Sequence, residues 1–179
     1  MDPRATIAAF DAFLASRSHR GDLTIVGGAA LALLGVIRRA TRDCDVLEPT
    51  LDPALLNLAQ AFAHQQTAMG NPLAQDWLNN GPASLAAVLP SGWRDRLVVV
   101  YQGAALSLRA LGRSDLLASK LWALCDRGTD LADCVALAPT AAELAALTPW
   151  LHRQDANPDW PAHVDATLAD VARRCHHGV

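Results

Sequence analysis

Lysine is nearly missing from this chain of 179 residues: fourteen of the fifteen basic residues are arginine, and Lys120 is the exception. Glutamate is almost as scarce, with Glu48 and Glu143 the two that are not aspartate among eighteen acids. Coding composition accounts for such a bias, and it singles out for examination a position that has stayed lysine. An excess of one charge is lacking too. Fifteen bases against eighteen acids leave a net of −3, which does not mark the whole molecule as a nucleic-acid binder. No stretch offers eighteen continuous apolar positions, so a membrane-spanning helix is excluded. The start, Met1-Asp2-Pro3-Arg4, runs into a helical pattern containing Asp11, not into a basic segment followed by an apolar one, so no secretory signal is expected. The four cysteines, Cys44, Cys125, Cys134 and Cys175, form no CxxC pair and sit in strand-like or helix-like runs. They read as reduced, buried small hydrophobes in a cytoplasmic protein.

What is present is material for one core: 51% of residues are apolar and 18% charged. The length predicts a single domain. Cys175-His176-His177 has metal-ligating side chains, but a structural zinc needs four placed ligands, and the plainer reading is a frayed tail.

The spacing of Ile7, Phe10, Phe13 and Leu14 predicts a helix over 5–18, closed by Gly21-Asp22. A short buried strand, 23–26, should follow and end at Gly27-Gly28. A helix over 29–37 would start at the diglycine, with Arg38, Arg39 and Arg42 at its negative end. A second strand is expected at 44–47, and a helix over 54–64 with Asp52 as cap and Pro53 at the first position. Residues 66–93 are the least regular, marked by turn signals such as 79–82 and 90–92. Strands at 97–101 and 105–110 flank a tight turn at Gln102-Gly103. Beyond Gly112 come helices over 114–126, 129–137, 140–151 and 161–175. The fold class is therefore α+β, with an α/β core over 1–111 and a helical part over 112–179 of one unit. Acids and bases balance at nine each in residues 1–111; the helical part has nine acids against six bases.

Two short segments carry the chemistry. Gly27-Gly28, between a strand and a helix, leave no side chain in front of the backbone N–H groups, so a phosphate can approach. Asp43 and Asp45 fall two apart on a strand and so share a face, where their carboxylates can hold one or two Mg²⁺ ions that bridge a nucleotide's phosphates. A diglycine alone is usually a turn, and an Asp-x-Asp alone a solvated strand end. One strand–helix–strand unit apart, they are far more telling.

Residues 24–35, Thr-Ile-Val-Gly-Gly-Ala-Ala-Leu-Ala-Leu-Leu-Gly, with 39–47, Arg-Ala-Thr-Arg-Asp-Cys-Asp-Val-Leu, resemble the nucleotidyltransferase signature of the DNA polymerase β-like superfamily. Within it the chain is most similar to bacterial DUF6036-type proteins, relatives of the AbiEii-like toxin nucleotidyltransferases. Segments 76–81, 89–96, 113–133 and 138–160 extend the resemblance over most of the chain. It implies a minimal mixed sheet with flanking helices, binding of Mg²⁺ and an NTP, and nucleotidyl transfer to an acceptor such as an RNA end, a protein or a metabolite. Gly27 and Gly28 would face the triphosphate, with Arg42 nearby, and Asp43 and Asp45 would hold the metal. Lys120 matches the lysine of the toxin group's third motif, and Asp130 with Asp133 its acidic fourth motif. Without that resemblance, Lys120 reads as a surface lysine or as a salt bridge to Asp115 or Asp126.

Two departures bear on turnover. Many superfamily members carry a third carboxylate on a following strand to activate the attacking hydroxyl, and neither 97–101 nor 105–110 offers one, leaving Asp130 or Asp133. Thr129 stands where the toxin group commonly has a cation. A nucleotide-binding or partner-binding module without turnover, with a cognate antitoxin in a toxin–antitoxin or phage-defence system, is thus the alternative. Arg38, Arg39 and Arg42 would guide a polyanion or simply complement a helix end. Trp77 and Trp93 are the better base-stacking candidates; Trp122 and Trp150 read as core. Glu143, three residues after Thr140, completes a capping box.

Overall fold

The computed structural model describes residues 1–176. The chain divides into two compact units, one formed by residues 1–88 and 94–112, the other by 89–93 and the residues from 113 onward. Among the described residues there are seven α-helices and one five-stranded sheet, the mixed α/β arrangement with a helical C-terminal part that the sequence predicts. No helix among them is long and apolar enough to cross a membrane.

The first unit holds α1 (Pro3–Ala15), β1 (Gly21–Val26), α2 (Gly27–Leu33), β2 (Cys44–Glu48), α3 (Pro53–Ala68), β3 (Leu78–Asn79), β4 (Val98–Gln102) and β5 (Leu106–Ala110). Asp2 and Asp52 cap α1 and α3, each followed by a proline whose missing N–H costs nothing there. The strand order is β3-β2-β1-β5-β4. β1 runs parallel to β5 and antiparallel to β2, while β4 is antiparallel to β5 and forms an edge. Alternation sorts the side chains: Leu23 and Ile25 of β1 are buried with Leu106, Leu108 and Ala110 of β5. Asp22 and Arg109 take the opposite face, paired at 2.9 Å. β4 buries none of its side chains, with Val98 and Val99 well exposed, and its pairing with β5 slips by one residue between Val99 and Tyr101.

Four aromatic rings centre the first core. Phe10 meets Trp77 edge-on at 5.0 Å and Phe62 at 5.2 Å, and the Trp77 indole N–H donates to the Ala59 carbonyl at 3.0 Å. Trp77 is wholly buried and Trp93 nearly so, which corrects the expectation that either stacks a base. The irregular 66–93 stretch contains β3, too short to leave a periodic pattern, and Asn80 fastens it. The Asn80 amide accepts from Leu51 N at 2.7 Å and donates to the Val46 and Pro49 carbonyls.

Asp11 is an acid on the buried face of α1. Its carboxylate accepts from the backbone N–H groups of Ala104, Ala105 and Leu106 at 3.1, 2.8 and 2.7 Å, closing the β4–β5 connection from below. The carboxylate fills the space beside Gly103 where a Cβ would sit. Burial works against the charged form, but these three donors and Tyr101 outweigh it and hold the carboxyl below the usual aspartate range.

The second unit packs α4 (Arg113–Arg127), α5 (Leu131–Ala136), α6 (Ala141–Leu151) and α7 (Trp160–His176). Leu121, Leu137, Leu151, Val164 and Val171 are buried. Trp122 and Trp150 meet edge-on at 6.2 Å. The capping box forms as predicted, Thr140 with Glu143. Glu143 is also paired with Arg113 at 2.8 Å, which, with the Thr140 N–H, lowers its carboxyl to about 2. His177 of the Cys175-His176-His177 tail lies outside the described residues.

Replacing Asp11 by alanine strips three buried backbone donors of their acceptor and should cost about 2–4 kcal/mol in urea unfolding at pH 7. Because the folded carboxyl titrates below the unfolded one, this contribution is present above about pH 4 and fades as pH falls through the folded value. The gap between wild type and Asp11→Ala should therefore narrow as pH falls below about 4, and a constant gap would contradict the assignment.

Candidate functional site

The site in the first unit grows from the end of β1. Val26 is the last extended residue and pairs with Asp45 of β2, so the first turn of α2 and the aspartate occupy one corner of the sheet. Gly27 turns the chain there with φ +73°, a conformation that glycine adopts without strain. A Cβ on Gly27 would stand 2.6 Å from Asp45 Oδ2, so the carboxylate rests directly on the Gly27 backbone. Gly28 is the second close approach, since a Cβ there would meet Thr41 Cγ2 at 2.9 Å. Thr41 is buried and donates through Oγ1 to the Asp43 carbonyl at 3.2 Å, bracing the chain just before β2. Both glycines of the pair are thus required by neighbours that belong to the aspartate segment.

Asp43 and Asp45 are half-buried on either side of the fully buried Cys44. Burial, then the charges of Asp45 and Asp43, push the Cys44 thiol well above its ordinary range, so it stays protonated between the two carboxylates. A pair of hard carboxylate oxygens at a sheet corner is a donor set that fits Mg²⁺. That ion is commonly held by one or two carboxylates, completing its shell with water and phosphate oxygens. Among the described residues no third His, Cys, Asp or Glu joins them as a ready cage. The nearby strands β4 (Val-Val-Val-Tyr-Gln) and β5 (Leu-Ser-Leu-Arg-Ala) carry no carboxylate.

α2 ends at Leu33, not at 37, because Gly35 at φ +79° breaks it. Arg38, Arg39 and Arg42 therefore follow the helix instead of closing its last turn. The cation at the α2 C-terminus comes from elsewhere in the chain: Arg4 of α1 donates to the carbonyls of Leu33 at 2.6 Å and Ala32 at 3.4 Å. Sequence spacing gave no sign of this long-range cap. Arg42 is exposed and stands 3.8 Å from the equally exposed Asp76.

Lys120, Asp130 and Asp133 come together in the second unit. The Lys120 ammonium lies 3.1 Å from Asp130 Oδ1 and 2.8 Å from Asp133 Oδ2, not beside the sequence-adjacent Asp126. Lys120 and Asp133 are buried. Asp130 precedes α5 in the left-handed region at φ +71°, an uncommon setting for a residue with a side chain and one that aspartate tolerates better than most. Its carboxylate makes no capping bond to α5 and is turned to the ammonium. Burial and the nearby Asp130 charge raise the adjacent Cys134 thiol to about 12.

A glycine turn and a carboxylate pair thus meet at one corner of the mixed sheet. The family described as "nucleotidyltransferase of unknown function (DUF6036)" matches residues 5–138, and the chain belongs to it. The matched stretch takes in both clusters and stops at the end of α5, so the tail resemblance over 138–160 falls beyond it. Comparison with curated proteins and with solved structures returns no match.

Two stability measurements test these contacts. Gly27→Ala should cost about 2–4 kcal/mol in wild type and only about 1 kcal/mol in an Asp45→Ala background, where the left-handed φ alone opposes it. Additive costs would mean that the carboxylate does not rest on Gly27. Lys120→Ala should destabilise by about 3–5 kcal/mol, because two aspartates then face each other without their cation, and Lys120→Ala/Asp133→Ala should recover part of that loss.

Proposed function

We propose that this protein is a Mg²⁺-dependent nucleotidyltransferase of the DNA polymerase β-like superfamily, related to the AbiEii-like toxin enzymes and working in the cytoplasm. It would transfer NMP from an NTP to an acceptor hydroxyl. The observation that carries the reading is the seating of the Asp45 carboxylate on Gly27. One contact brings the glycine turn and the acidic pair to a single corner, as binding of a metal-bound triphosphate requires.

In this reading Gly27 and Gly28 offer backbone N–H groups to the phosphates, and Asp43 and Asp45 hold the metal. A Mg²⁺ held there would supply charge neutralisation for the triphosphate. The acceptor oxygen bonds to the α-phosphorus while the bond from that phosphorus to the β-bridging oxygen breaks. Pyrophosphate leaves with the electron pair, and the hydroxyl proton passes to a carboxylate or water. Arg42, exposed on the approach, adds a cation for the phosphates. Lys120 contributes to phosphate binding only by exchanging a carboxylate partner for a phosphate oxygen, since Asp130 and Asp133 both engage it.

A second reading has its own support: neither β4 nor β5 carries a carboxylate that could serve as the third acid. It is a nucleotide-binding module without turnover that acts on a partner such as a cognate antitoxin.

Thermal unfolding with each NTP and Mg²⁺ tests the first claim. Ligand at a hundred times its Kd stabilises by about 2.7 kcal/mol, a shift of several degrees, and Asp43→Asn/Asp45→Asn should abolish it. No nucleotide-dependent shift in wild type would overturn nucleotide binding. Label carried from α-³²P-NTP to RNA, protein or a metabolite in a lysate separates the enzyme from the inactive module.

A further inference from the structure

We infer that Asn79 is a triphosphate-binding residue of the Gly27/Asp45 corner, donating an amide N–H to a phosphate oxygen of the nucleotide. This deepens the nucleotidyltransferase reading, on which it rests, by adding a side chain from outside the glycine pair and the Asp-x-Asp. In the parallel pairing of β2 with β3, Asp45 stands opposite Asn79 and Cys44 opposite Leu78. Paired positions on neighbouring strands share a face, with the strands about 4.8 Å apart. Burial follows the same alternation: Cys44 and Leu78 are buried, while Asp45 and Asn79 are both half-buried. Asp45 is thus flanked on the β1 side by the Gly27 turn that its carboxylate rests on, and on the β3 side by Asn79.

The Asn79 amide is held in one orientation. Oδ1 accepts from Gly81 N at 2.7 Å, and Nδ2 donates to the Asp76 carbonyl at 3.3 Å. A backbone N–H only donates and a carbonyl only accepts, so the amide cannot be turned over. Gly81 comes so near that a Cβ there would stand 2.8 Å from Asn79 Oδ1. The segment that carries the amide is itself fastened to the Asp-x-Asp stretch. Cys44 N donates to the Trp77 carbonyl, and Arg42 stands 3.8 Å from Asp76. An amide nitrogen has two hydrogens, and among the described residues nothing accepts the second one of Asn79. Two carboxylates at the corner attract a cation and repel a phosphate. A third side chain that donates without adding charge offsets that repulsion, and one already fixed loses little freedom when the ligand arrives.

Thermal unfolding of the full chain with Mg²⁺ and ATP, GTP, CTP or UTP tests the inference, the apparent Kd being read from the concentration dependence of the shift. Asn79→Asp keeps an oxygen for the Gly81 N–H and replaces the donor by a charged acceptor. It should weaken all four nucleotides about tenfold or more. Asn79→Ala removes the donor without adding charge and should weaken them by about threefold to tenfold. Gln75→Glu adds a negative charge at an exposed position of the same stretch, and should alter affinity by less than about twofold. Unchanged or tighter binding in Asn79→Asp would overturn the proposal, tighter binding making position 79 a metal ligand instead. Equal losses in Asn79→Asp and Gln75→Glu would overturn it as well. So would a loss confined to one base, because a phosphate contact is common to all four. A wild type without a shift for any NTP fails the nucleotide reading and this assignment with it. A wild-type shift that Asp43→Asn/Asp45→Asn abolishes and both Asn79 variants retain fails this assignment alone.

Discussion

The seating of one carboxylate on one glycine organises the first unit. Asp45 takes the place that a side chain at position 27 would need, so the turn out of β1, the start of α2 and the first residues of β2 must be built together. Thr41 repeats the constraint one residue on by filling the space at Gly28. At a corner made this way the space beside each glycine is filled by a side chain of the neighbouring segment, so neither position has room for a side chain of its own.

The two units treat buried charge alike. Asp11 is satisfied by three backbone donors and Lys120 by two aspartates. In each case a charge on one element fixes the end or the turn of another. Such contacts are strong when complete and costly when halved, which favours one arrangement of short elements that have little apolar surface of their own. α5 has only six residues, and it stays in place because Asp130 before it and Asp133 within it converge on Lys120.

The sequence exposed the order of the long elements because their periodicity is local: α1, α3, α4 and α7 lie close to where the apolar spacing predicts them. It also drew attention to the glycine pair, the Asp-x-Asp and the lone lysine. What it hid depends on distant partners. The early end of α2 follows from Gly35 and from Arg4, twenty-nine residues from the carbonyl it caps. β3 has two residues and no pattern of its own. Trp77 lies in a turn-rich stretch that reads as surface, yet its ring completes an aromatic core drawn from α1 and α3. Lys120 seemed to face Asp115 or Asp126 because those are near in sequence; the fold offers it Asp130 and Asp133 across a helix junction.

The slipped register in β4 matters for how the molecule behaves in company. An edge strand reading Val-Val-Val-Tyr-Gln, uncharged and free of proline, is the kind of surface on which further strands accumulate. The extra residue at Val100 breaks the even ladder and twists the open edge, so an incoming strand cannot match it over its whole length. Where other proteins guard such an edge with a lysine, this nearly lysine-free chain does so with backbone geometry, and the irregularity serves as its protection against self-association.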